Sequence, residues 1–225
     1  MGQRLFAFTV EAQPADGWPR LEAALASARR GPLVPGGVCW DAAGIRHAMN
    51  ALGRAGLASI WVHTGARVCG DPRAVTLEAE NGRSVLSPAE RCGHLDELAK
   101  GNWAEAAHAL LRNEPWDAFF LRVTDTDAAG DSALARIVQG LSPDIGVFGF
   151  IGVQAYLRTR SSDASPLSVA RAESLLPTAL RLLDLPLPGA LEALAMDLNA
   201  APAAEGYSRE DEEAIQARLE DLGYL

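Results

Sequence analysis

The run Ile145-Gly-Val-Phe-Gly-Phe-Ile-Gly-Val153 constrains this chain more than any other stretch. It carries no polar side chain and does not alternate, so a strand built from it has no face to offer water. Such a strand belongs inside a parallel sheet covered on both sides. Leu5 to Val10, Leu57 to His63 and Asp117 to Thr124 are further short apolar runs, and helical patterns lie between them. Trp18 to Arg30 places Leu21, Ala24, Leu25 and Ala28 at helical spacing before Gly31-Pro32. Asp41 is placed to cap a helix running to about Ala55, closed by Gly56. Further helices are expected over Pro88 to Ala99, Trp103 to Arg112, Asp131 to Gly140 and Ala172 to Asp184, and a small hairpin around Asn81-Gly82. This alternation predicts an α/β fold, a three-layer sandwich with a mainly parallel central sheet.

At 225 residues, 48% hydrophobic and 22% charged, the chain suits a single globular domain spanning 1–225. Its last part, 199–225, reads as a linker followed by a helix packed on the domain. In that helix Ser208 is the N-cap, acids fill the first turn, and Ile215, Leu219 and Leu222 form one apolar stripe. The net charge of −9, with Lys100 the only lysine, repels a phosphate backbone, so nucleic acid is not expected as a partner. No apolar run approaches the roughly 20 residues that span a bilayer. The protein is expected to be cytoplasmic, with no membrane partner. Cys39, Cys69 and Cys92 are odd in number and widely spaced, which predicts reduced thiols rather than a disulfide framework.

Several segments together resemble the type I phosphodiesterase and nucleotide pyrophosphatase branch of the alkaline phosphatase superfamily. They are the strand and Thr-Asp of Trp116-Asp-Ala-Phe-Phe-Leu-Arg-Val-Thr-Asp-Thr-Asp127, Pro177-Thr178 with Leu182-Leu-Asp-Leu-Pro-Leu-Pro188, and the closing Leu222-Gly-Tyr-Leu225. Cys39-Trp-Asp41 with Gly53-Arg-Ala-Gly56 is similar to the helix and turn before the second strand of that branch. The resemblance implies two metal ions held by Asp and His, flanking a Ser or Thr nucleophile. Asp127 matches the aspartate of the Thr-Asp motif, but Asp131 stands where the family has His. Gly149-Phe150-Ile151-Gly152 stands where it has Ser-Asp-His-Gly. Glu11 is the nearest counterpart of the metal-binding Asp that ends the first strand. His47, His63, His94 and His108 all precede Asp125, and the loop from Tyr156 to Ser168, where a late histidine is expected, has none.

These departures predict a noncatalytic member of the superfamily, with no cofactor, acting as a binding or assembly partner of another protein or of a second copy. Two alternatives stay open. A rearranged hydrolase would use Glu11, Asp125, Asp127 and Asp131 around one Mg²⁺, Mn²⁺ or Ca²⁺, since carboxylates favour hard cations. A small-molecule protein would keep the cleft and line it with Phe148, Phe150 and His63. Each residue also has a structural reading. Asp125 or Asp127 caps the following helix, His63 is a hydrogen-bonded strand-end histidine, Cys39 is a packed thiol, and Arg158, Arg160 and Arg171 are solvated rather than an anion site.

Overall fold

The computed structural model describes residues 4–11, 17–34, 37–65, 73–80, 83–88, 103–124, 128–160 and 165–198. They form an α/β fold around a nine-stranded mixed sheet, mostly parallel. Strand β1 (Leu5–Val10) is hydrogen-bonded in parallel to β6 (Ala118–Val123) on one side and to β7 (Gly146–Ile151) on the other. Beyond β6 lie β3 (Ser59–Val62), β4 (Ala74–Glu80) and β5 (Arg83–Ser87); beyond β7 lie β8 (Gln154–Arg158), β2 (Arg29–Val34) and β9 (Ala170–Arg171). The antiparallel pairs are β4 with β5, β7 with β8 and β8 with β2.

Every residue of β1 and β7 is buried, as unbroken apolarity requires, and successive side chains serve different cores. Phe6, Phe8 and Val10 face a core shared with Val147, Leu121 and three helices: α1 (Pro19–Ala24), α3 (Trp103–Asn113) and α4 (Ala128–Gly140). Leu5 and Ala7 face the other core, built with Phe148, Phe150, α2 (Ala42–Arg54) and α5 (Leu175–Leu182). Aromatic pairs fill both: Phe6 stacks on Phe119 at 5.4 Å on the first face, Trp61 on Phe120 at 4.0 Å on the second.

The helix of α2 starts where its cap residue predicts. Asp41 accepts from the backbone N–H groups of Ala43 and Gly44 at 3.0 and 2.8 Å, and Gly56 follows the helix at φ +74°. Strands β4 and β5 pair antiparallel with Glu80 opposite Arg83, consistent with the small hairpin expected around Asn81-Gly82, which itself lies outside the described residues.

Three expectations need correction. The first helix is six residues long rather than thirteen, and Arg29–Val34, read in part as its end and in part as its stop signal, is strand β2. The strand expected to reach Val153 ends at Ile151, because Gly152 takes φ +57°, open to a residue without Cβ, and turns the chain into the antiparallel β8. Strand β8 itself was not anticipated. The helix expected over 88–99, apart from Pro88, the linker and the helix over 208–222 lie outside the described residues, as do Cys69 and Cys92. Among the described residues no helix is long and apolar enough to cross a membrane.

Candidate functional site

Parallel strands leave their backbone carbonyl ends, and the loops that follow, along one edge of the sheet, where α/β proteins gather ligands. At this edge β1, β6 and β3 end side by side. The register pairs Val10 with Val123 and Val62 with Leu121, so Glu11, Arg122 and His63 arrive as near neighbours. Arg122 donates from Nη2 to the Glu11 carboxylate at 2.7 Å, with both side chains about a third exposed. One step inside, the buried Thr9 hydroxyl accepts a 2.6 Å hydrogen bond from the Trp40 indole N–H, tying β1 to the loop before α2.

Cys39 precedes that tryptophan and stands in the field of Glu11, Arg122 and Glu173. Burial, then Glu11, raise its thiol to about 12, partly opposed by Arg122. At neutral pH it is therefore a protonated thiol, the opposite of an activated nucleophile. This agrees with the packed-thiol reading.

His63 sits just past β3 with φ +55°, a left-handed conformation that histidine adopts more readily than most side chains. Its backbone N–H donates to Leu77 at 2.8 Å, and the Thr64 N–H donates to the Glu78 carboxylate at 2.9 Å. These bonds lock the end of β3 onto β4.

Asp131 is elsewhere in function. It lies buried in the first turn of α4, and its two carboxylate oxygens accept from the backbone N–H groups of Arg20 and Leu21 at 3.1 and 2.9 Å. These are orphan donors of α1, whose own N-cap residue, Trp18, supplies no side-chain bond. The Asp131 carboxylate is thus a helix cap delivered from another helix. Asp125 and Asp127 lie outside the described residues. Phe148 and Phe150, 0% and 2% exposed, pack edge to face at 5.3 Å within the core.

The described residues do not fit a two-metal centre. The guanidinium of Arg122 holds one oxygen of the Glu11 carboxylate, and both oxygens of Asp131 are engaged by backbone. Among the described residues no group of three or more His, Cys, Asp or Glu is placed to hold a metal ion. The sequence pointed to Glu11 and His63 at this edge but not to Arg122, Thr9 or Glu173. Arg122 falls on an inward-facing position of an otherwise apolar strand, and that break in the pattern was the available signal. Comparison with known protein families, curated proteins and solved structures finds no match to this chain.

Proposed function

We propose that this protein is a noncatalytic relative of the alkaline phosphatase superfamily, with that superfamily's three-layer architecture, acting as a binding or assembly partner of another protein or of a second copy of itself. The observation that carries the reading is the 2.7 Å pair of Arg122 with Glu11 at the carboxyl end of β1. A guanidinium on one oxygen of that carboxylate competes with a metal ion for it and repels a second cation. The buried apolar end of β7, where the resemblance requires ligands, supports the same reading, as does the protonated Cys39.

The test is metal content together with turnover. Purified protein should contain no stoichiometric zinc, and should leave bis(p-nitrophenyl) phosphate unhydrolysed with added Zn²⁺, Mg²⁺ or Mn²⁺. Tightly held stoichiometric zinc, or metal-dependent hydrolysis lost on chelation, would overturn the proposal.

A further inference from the structure

The three arginines near the end of β8 and in β9 have separate fates. Arg160 donates to Asp144 at 3.2 Å, and Asp144 also accepts from the Ser142 hydroxyl. Arg171 is exposed on the short strand β9. Arg158, the last residue of β8, is half-buried, and its Nε and Nη2 atoms are both shielded from solvent without an acceptor among the described residues. Those two N–H groups point in parallel along one edge of the guanidinium, which is the edge that grips two oxygens of a carboxylate or phosphate. A buried charged donor left unmade costs more than an ordinary hydrogen bond contributes. Two such donors on one edge have the shape of a single missing acceptor.

The strand register adds a second cation. Arg30 of β2 pairs with Tyr156 of β8, and its guanidinium lies over the Tyr156 ring, 5.4 Å from the centroid. Arg158 is two residues further along β8 and therefore shares a sheet face with Tyr156. Burial acts on the charge of Arg158, lowering its proton affinity, and among the described residues no carboxylate is set against it. Glu22, the acid facing this region from α1, acts on the Tyr156 phenol instead. Because β8 is antiparallel, Arg158 lies beside Val147, at the amino end of β7. The feature is thus at the opposite edge of the sheet from Glu11 and His63.

We propose that the Nε and Nη2 edge of Arg158, on the sheet face that Arg30 also shares, receives one small oxyanion, a carboxylate or a phosphate group of a small molecule. Binding requires this half-buried side chain to turn the edge toward solvent. The chain's net charge of −9 repels anions at long range, so affinity must come from contact with the fork, not from a general basic field.

The experiment follows arginine Nε–H resonances by NMR while wild-type protein is titrated at constant ionic strength with sodium phosphate and, separately, with sodium acetate. One resonance should move and saturate, and it should be missing from the spectrum of Arg158→Lys. That variant keeps the charge but loses the fork, and should bind about tenfold or more weakly, the loss of one good charged hydrogen bond. Arg160→Lys should bind as wild type does. Saturation with phosphate alone identifies a phosphate site and saturation with acetate identifies a carboxylate site; either supports the proposal. If no Nε–H resonance saturates with either anion, or if Arg158→Lys binds as tightly as wild type, the proposal is wrong. The wild-type titration decides by itself should the variant fail to fold.

Discussion

Helices α1 and α2 stand on opposite faces of the sheet, and their first turns are satisfied from opposite directions. In α2 the cap is the adjacent residue, Asp41, which is exposed and closes its own bonds two and three residues away. In α1 the cap is Asp131, buried and more than a hundred positions along the chain. The first arrangement stabilises a helix wherever it sits. The second stabilises α1 only when α4 is already packed against it, so the same pair of hydrogen bonds serves as both a cap and a tertiary joint.

Removing each cap separates these roles. Asp131→Ala takes away two charge-assisted bonds from a buried position and leaves two N–H groups without partners, which should lower unfolding free energy by roughly 3 kcal/mol in urea denaturation. Asp131→Asn, keeping one acceptor oxygen, should fall between that variant and wild type. Asp41→Ala exposes its freed N–H groups to water and should cost about 1 kcal/mol. Equal losses for Asp131→Ala and Asp41→Ala would show that burial and distance add nothing, and would break the comparison.

The smallest effect belongs to a third local contact. The Ser142 hydroxyl, then the Asp144 backbone and Arg160, hold the exposed Asp144 carboxyl below its ordinary value. A depressed carboxylate stabilises the fold above its unfolded pKa, about 3.9, and that contribution is lost as pH falls further. Melting curves of Asp144→Asn should therefore differ slightly from wild type at pH 7 and converge with it in acid. A difference that grows on acidification would contradict the sign.

The same contrast explains what the sequence disclosed. Features written in one local stretch were readable: the Asp41 cap, the antiparallel pairing of Glu80 with Arg83, and the burial of Phe148, Phe150 and Ile151, which the unbroken apolarity of their own strand demands. Features closed by distant residues were not. Gly31-Pro32 looks like a stop signal, yet Gly31 is in β2 because the chain at Leu167 lies against it; a Cβ there would come within 2.7 Å of the Leu167 Cβ. Pro32 is tolerated at the end of the antiparallel ladder, opposite Gln154. Asp131 read as a misplaced metal ligand because nothing in its own neighbourhood reveals the α1 donors it serves. At the candidate site, Glu11 was visible as a strand-end acid, while its partner Arg122 is recognisable only once β1 and β6 are known to be adjacent.

The position of β1 in the sheet also bears on how the protein comes off the ribosome. Its two neighbours, β6 and β7, begin at Ala118 and Gly146. Strand β2 is flanked by β8 and β9, from residues 154–158 and 170–171. The nascent chain therefore exposes Leu5, Phe6 and Phe8 without either of these partners until more than a hundred further residues have been synthesised, and β2 waits longer still for its own. Long-range parallel pairing of this kind folds slowly and leaves sticky segments exposed in the meantime. For β1 that interval is a period of dependence on whatever shields an unfinished apolar strand in the cell.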